Sequence, residues 1–441
     1  MFNSMALRRH LLPAFGLLCA LSWACSAPDA NAPILPPPPG SVAGSTGAGM
    51  AGSAATMNGG AAGSATCATT DECPSGGVCR SGVCACPADT PDLCAGAGKG
   101  SCVAKQIDAD NCGACGMKCA PGAACSAGKC GDAPVQVGMV PGCGSVRMAL
   151  SGASLYLTAK MSGAVQTLPV AGGSATDLAS GQASPSQIAA DASGVYWLVD
   201  GDGSPGSSKV MKKSLPLGAS PPVVLKASST DKIRALTVHA NKLYYAVGHD
   251  VHAISTDEKV TPDDVVGRAI NYDVNPPDGM PSGEPSGLAA SDALVCWTTA
   301  ARQGVERDDI LPGVAGYVEL GESQGDLLLD DIATDGTYVY WANGDQLVRA
   351  KADTKGNVNV SKTFKSDAIT AFSISATDVY FASQTGGLLK HVLTPPADPN
   401  NDATVVPPAA LARDQMNVSS VVLDAAHVYW ASGCSIFSAK L

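Results

Sequence analysis

The stretch DAAHVYWASG, residues 424–433, is written almost again as DASGVYWLVD at 191–200 and DGTYVYWANG at 335–344. Each copy has an Asp, three variable residues and then Val-Tyr-Trp. Taken as a template, it finds weaker copies in SGASLYL around Tyr156, HANKLYY around Tyr244, SDALVCW around Cys296 and SATDVYF around Tyr380. Adjacent centres lie 40 to 52 residues apart, which is the period of a β-propeller blade. A short run of small and apolar residues precedes the aromatic triplet (QIAAD, DIATD), and another strand-like run follows it (KVMKKSLP, QLVRAKAD, GLLKHVLT). Consecutive runs of this kind form an antiparallel meander. The expected fold is therefore all-β, a seven-bladed β-propeller over residues 134–441.

The template residues have physical tasks. Four places before the Val stand Ser151, Asp191, His239, Ser291, Asp335, Ser375 and Asp424, hydrogen-bond acceptors of the kind that close tight turns on backbone N–H groups. The Val-Tyr-Trp run reads as a second strand buried between neighbouring blades, where β-branched and aromatic side chains fill a flat interface. Seven aromatics lining a ligand site is the competing view, and regular spacing favours packing. Cys296, in a Tyr place, reads as a small buried thiol. The last copy ends in CSIFSAKL, a third strand that leaves its sheet one strand short, and PVQVGMV at 134–140 is the natural fourth. That splice would close the ring, cover an otherwise open sheet edge and bring Cys143 towards Cys434, where a disulfide could lock it.

Upstream of the repeats the composition changes twice. Residues 1–24 read as a signal peptide, with Arg8 and Arg9 ahead of an apolar run from Leu11 to Ala24 that is shorter than the roughly 20 residues a spanning helix needs. The run ends in LSWAC, which resembles the lipobox of bacterial lipoproteins, and that resemblance makes Cys25 the lipidated residue. Ser22 stands where the lipobox usually has Leu, and a plain secretory signal cleaved nearby is the alternative. Residues 25–66 continue with Ala, Gly, Ser and Pro, one charge and no aromatic, so they cannot bury enough apolar area to offset ordering and read as a disordered tether. A tether of this length spans on the order of 35 Å.

Residues 67–130 hold twelve of the seventeen cysteines. An even number in a short, loop-forming, exported block implies six disulfides. Cys112 and Cys115 make a C-x-x-C, for which a redox pair or a zinc site are the other possibilities, but no histidine falls in the block. The phrase DADNCGACGMKC with its closing GAACSAGKC resembles the Cys-rich module of secreted myxobacterial lipoproteins, which implies a surface-protein setting and no particular chemistry. Residues 134–441 in turn resemble the seven-bladed propellers of bacterial secreted proteins, the NHL-type, YVTN-type and streptogramin-lyase-like groups. These hosts serve binding, scaffolding and sometimes catalysis. The lyase-like group would require paired histidines over a metal near the axis.

Candidates for chemistry are sparse. The histidines are His10, His239, His249, His252, His391 and His427. His249 and His252 lie three apart, which sends them to opposite faces of a strand. The DGDG at 200–203 hints at calcium but lacks the other ligands of a calcium loop. No G-x-S-x-G elbow, Walker loop, H-E-x-x-H or dinucleotide fingerprint is present. A net charge of −11 without a basic cluster argues against nucleic acid. The long interruptions at 256–284 and 299–314 are expected as loops on one face beside the fourth blade, and loops on a rigid scaffold are where binding concentrates. They supply the candidate binding set Asp263, Asp264, Arg268, Tyr272, Asp273, Arg302, Arg307, Asp308 and Asp309. The expected function is a surface-tethered lipoprotein at the cell envelope, in the outer membrane or on the cell surface. Its propeller would bind protein or polysaccharide as a monomer, with the lipid anchor as its sole membrane contact, and with no cofactor, no metal and more reason against catalysis than for it. A structural or adhesive envelope protein without a small ligand is the first alternative, and a propeller hydrolase or lyase using face carboxylates the second.

Overall fold

The computed structural model describes residues 66–94, 100–202, 204, 206–228, 231–257, 264–268, 285–299, 304–309, 318–322, 327–352, 361–393 and 408–441. The leader, Cys25 and the tether thus lie outside the described residues. No helix among those described is long and apolar enough to cross a membrane.

Beyond the cysteine-rich module the strands assemble into four-stranded antiparallel sheets arranged as propeller blades. Six of these sheets are uninterrupted meanders of four consecutive strands, with inner strands at Val146–Ser151, Pro185–Ala190, Ile233–His239, Pro285–Ala290, Leu327–Thr334 and Ile369–Ile374. We number these blades one to six. The remaining sheet is spliced: Val418–Leu423, His427–Ser432 and Ser435–Lys440 are completed at the outer edge by Val135–Met139. Seven copies of one template are therefore not seven equivalent blades, but six continuous ones and a closing sheet made from two distant parts of the chain. Val140 N–H donates to the Cys434 carbonyl, and the Cys143–Cys434 disulfide fastens the same corner.

The second strands carry the core. Gly194–Val199 of blade two is buried at every position, as expected for a strand covered on both faces. Its alternating side chains serve different neighbours. Tyr196 and Leu198 pack with Ile233, Leu236, Leu243 and Tyr245 of blade three, while Val195 and Trp197 pack with Tyr156, Val165 and Ala179 of blade one. Tyr-Trp in sequence is thus one ring for each seam. Trp197, Trp297, Trp341 and Trp430 are all fully buried, and burying a ring of that size contributes about 3 kcal/mol. Two of the indoles also find acceptors, Trp430 Nε1 donating to Gln415 Oε1 at 2.8 Å and Trp197 Nε1 to Gln182 Oε1 at 3.2 Å.

The template Asp does two jobs. One oxygen of Asp424 accepts the N–H groups of Ala426 and His427, both at 2.7 Å, and the other accepts the Tyr429 hydroxyl at 2.9 Å. Asp335 repeats the arrangement with Thr337, Tyr338 and the Tyr340 hydroxyl. Asp191 holds the N–H groups of Ser193 and Gly194, and Ser193 lies 2.8 Å from the Tyr196 hydroxyl. Burial opposes the charge on Asp424, but these donors outweigh it and hold its carboxyl below the ordinary value. Burial pushes the phenols of Tyr196, Tyr340 and Tyr429 up to about 12.

The cysteine-rich module is built differently. Three two-stranded ribbons, Val78–Arg80 with Val83–Ala85, Asp92–Cys94 with Ser101–Val103, and Cys125–Ser126 with Lys129–Cys130, are stapled by disulfides 67–79, 73–84, 86–102, 94–115, 112–125 and 119–130. Cys112 and Cys115 pair with different partners, so the C-x-x-C is not a dithiol couple. The cysteine groups with metal-like spacing, Cys67, Cys73 and Cys84 and then Cys112, Cys119 and Cys130, have their sulfurs committed to these disulfides. The module meets the propeller at the outer strand of blade six, Ala409–Ala412: Ala123 bridges Ala412, and Arg413 donates its N–H to the Gly122 carbonyl and its Nε to that of Ala123. At Gly122, with φ +77°, a Cβ would stand 2.9 Å from Pro134 Cγ, so glycine permits this approach. Cys296 keeps a buried thiol that donates to the Ala289 carbonyl at 3.4 Å.

Candidate functional site at the mouth of the propeller

Because the strands of each blade alternate in direction, every inner strand starts at one end of the propeller, and the turn between second and third strands returns to that same end. We call this end the mouth. The inner strands are not regular there. Register shifts interrupt their pairing near the mouth in blades two to six and in the closing sheet, while blade one pairs without a shift. A bulge re-aims side chains out of strict alternation, and polar residues collect where the shifts occur.

Two polar side chains span the axis, one from the unshifted inner strand of blade one and one from the shifted inner strand of blade two. Arg147 of blade one reaches Asp331 of blade five, Nη1 to Oδ1 at 3.1 Å, and the same nitrogen donates to the Ser419 carbonyl of the closing sheet. Asp331 Oδ2 accepts the Phe372 N–H of blade six at 3.3 Å. Gln187 of blade two donates through Nε2 to the Ser286 carbonyl of blade four at 3.2 Å and accepts the Leu236 N–H of blade three at 3.0 Å. Arg147 with Asp331 thus knots blades one, five and six to the closing sheet, while Gln187 knots blades two, three and four. Nearby hydroxyls extend the layer: Ser420 Oγ accepts the Met148 N–H, Ser419 Oγ donates to the Val146 carbonyl, and Ser286 Oγ lies 3.1 Å from Thr298 Oγ1. The result is a polar floor across the axis.

From that floor a polar chain runs outward over blades one to three. Thr158 Oγ1 accepts the Arg147 N–H and donates to the Ser186 carbonyl; Ser186 Oγ donates to Asp200 Oδ1 at 2.7 Å; and Asp200 Oδ2 takes Lys160 at 3.4 Å and Lys232 at 3.2 Å. Asp200 opens the DGDG stretch, so its carboxylate is engaged by lysines rather than offered to calcium. Asp202 is turned to Ser204, whose hydroxyl and N–H hold it down to about 2. Gly201, at φ +73°, would place a Cβ 2.5 Å from the Ser207 carbonyl carbon, so only glycine lets this loop fold back and present Asp200.

The loop set expected from the sequence is distributed differently. Asp264–Arg268 is the outer strand of blade three and Gly304–Asp309 the third strand of blade four. Strands therefore cut both expected loops. Asp264 pairs with Ala253 and Arg268 with Asp250, towards opposite ends of one strand, while Arg307, Asp308 and Asp309 pair with Cys296, Val295 and Leu294, running away from the mouth. The placement of these residues on one face is corrected accordingly. Charged residues are tolerated on an outer strand such as Asp264–Arg268, which is why that segment reads as a loop. Asp263, Tyr272, Asp273 and Arg302 lie outside the described residues. His252 stacks on Tyr245 at 5.2 Å, a packing role for one of the two histidines weighed for metal. The floor residues Arg147, Gln187 and Asp331 were missed because they follow no repeat; the available signal was a long polar side chain inside a short apolar run, as in VRMALS, PSQIAA and LLLDDIAT.

No protein-family model and no curated protein matches the chain. Among solved structures, a catalytically inactive virginiamycin B lyase from Staphylococcus aureus with quinupristin is 10% identical, with a TM-score of 0.50 over 70% of this chain and 98% of the lyase. A selenomethionine-substituted form of the same lyase is 11% identical, with a TM-score of 0.51 over the same shares. BamB from Moraxella catarrhalis, 14% identical over 70% of this chain and 86% of its own, has a TM-score of 0.45 and is too distant to carry an argument. What is shared with the lyase is the fold. Two expectations change as a result. Kinship with NHL- or YVTN-type propellers, and the lipoprotein family as a whole, find no matching model. The weighting against catalysis rested on missing motifs and is withdrawn, because the same fold serves a lyase in another protein and a shared fold by itself fixes no activity.

Proposed function

We propose that the propeller is a protein-binding scaffold held outside the cytoplasm, which presents its mouth to the partner and takes no small ligand at its axis. The observation that carries this reading is the polar floor. Arg147 bonded to the Asp331 carboxylate, and Gln187 bonded to the Ser286 carbonyl, cross the axis, which favours a polar surface at the mouth over the concave, mostly apolar cleft typical of small-molecule sites. Rigid strands set that surface, a good basis for macromolecular contact. Seven disulfides support an oxidising compartment, since thiols stay reduced in the cytoplasm. The finer part of the proposal is attachment at the cell envelope through a lipid on Cys25. Its check is the Cys25→Ala variant, which should move from the membrane to the soluble exported fraction.

Site-specific photocrosslinkers test the scaffold reading on the intact protein. Placed at Lys160 or Thr385 on the mouth, they should yield a discrete protein adduct. Placed at Val224 on the outer edge of blade two, the same group should not. Adducts from Val224 alone, capture of polysaccharide in place of protein, or no adduct from either mouth position would overturn the reading.

A further inference from the structure

We infer that Lys160, Asp200 and Lys232 form a subsite for a carboxylate carried by an acidic stretch of the protein partner. The inference rests on the mouth-end reading above and gives it a chemistry. Asp200 is largely buried, its side chain 14% exposed, while the lysines are 48% and 46% exposed. One carboxylate thus anchors two ammonium groups on a single oxygen, leaving one positive charge in excess among these three groups. Lys160 comes from the turn of blade one, Asp200 from blade two, and Lys232 from the approach to blade three.

The arrangement is built rather than accidental. Ser186 satisfies the other oxygen of Asp200, so the carboxylate is fixed in orientation, and Gly201 sets its loop. Each ammonium has three donors, and among the described residues Asp200 is the only polar partner of either lysine. Donors therefore remain, directed from neighbouring positions towards solvent. Other lysines differ. Lys212 and Lys213 are buried, Lys212 donating to the Thr256 carbonyl and Lys213 to those of Gly218 and Ser220, while Lys105 with Asp92 and Lys390 with Asp378 are pairs of equal and opposite charge. The three groups together carry one net positive charge in a chain of net charge −11. A second carboxylate bridging the two ammoniums would neutralise it with charge-assisted hydrogen bonds.

The test is a chemical-shift titration of the whole exported chain with the peptide triglutamate, and with triglutamine as the neutral comparison. Triglutamate should perturb residues around Lys160, Asp200 and Lys232, triglutamine should not, and added salt should weaken the effect. Lys160→Ala combined with Lys232→Ala should lower the affinity at least ten-fold. The Lys160→Arg, Lys232→Arg pair should retain it, and thermal unfolding of both variants should match the parent. Equal binding of the two peptides, no binding to the parent, or unchanged affinity in the alanine pair would overturn the subsite. If mouth crosslinks form while triglutamate fails, the scaffold reading stands and this inference falls.

Discussion

Residues 67–130 and the sheets beyond them are both made of short antiparallel strands, yet they are held in opposite ways. In the module the buried apolar set is little more than cysteine, with Val103, Ala109, Ala123 and Ala124. In the propeller every seam carries Tyr, Trp, Phe or Leu from the buried middle of a second strand. Disulfides closing loops of 11 to 21 residues stabilise by about 3 kcal/mol each, by restricting the unfolded chain, and this compensates for a core too small to hold itself. The difference shows what a repeat provides: each blade supplies half of two seams, so no single element needs a core of its own.

The largest effect that could break this comparison is reduction. Thiol reductant should unfold the module while the propeller persists, because only Cys143–Cys434 in the propeller is touched. All tryptophans after the leader lie in the propeller, so near-ultraviolet circular dichroism should survive reduction while proteolysis opens residues 67–130. Joint loss of both signals would mean that the module supports the sheets.

A smaller effect separates the seams. Trp430→Ala should cost about 3–5 kcal/mol in a denaturant titration, through lost burial and the cavity left behind, and it also strands Gln415 Oε1. Replacing Cys143 and Cys434 together by Ala should cost no more than about 5 kcal/mol and should leave the spliced strand paired. If the cysteine pair proves far more damaging than Trp430→Ala, the ring is held by its clasp and not by its seams.

The smallest effect concerns the turn acceptor. Asp424→Asn keeps the shape and removes the charge, and should cost about 1–2 kcal/mol. The sign with pH follows from the depressed folded value: stability from Asp424 is present above the ordinary carboxylate pKa of 3.8 and is lost as pH falls through the folded value. The difference between parent and Asp424→Asn should therefore close on acidification. At the other extreme, phenols raised from 10.0 to about 12 favour the protonated form in the folded state, so stability should decline as pH rises from about 10 towards 12. A tyrosinate absorbance rising near 10 for every tyrosine would contradict the Asp–Tyr pairing.

The blades were legible because their chemistry repeats. Asp closes a turn and holds a Tyr hydroxyl, Tyr faces one neighbour, Trp the other, and each blade imposes the same demands. The splice was legible too, since CSIFSAKL lacked a partner and PVQVGMV had none. The mouth was not, because a seam is shared by translation along the chain while an axial bridge occurs once. Arg147 finds Asp331 across 184 residues, and no local pattern announces it. The strand DVVGR at 264–268 stayed hidden for another reason: it is the outer strand of its blade, paired on one edge only, so alternation of apolar residues is not required of it.

The splice also sets an order of events. Val135–Met139 leaves the ribosome or the export channel early, but its partner, Ser435–Lys440, arrives some three hundred residues later. The module can close its loops at once, since each joins cysteines at most 21 residues apart. The outer strand of the closing sheet has to wait, its edge open, while blade after blade is added. Contacts of such long range form slowly, and an unpaired strand edge invites the wrong partner. A finished module lies directly upstream of that waiting strand, joined to it by only four residues between Cys130 and Val135.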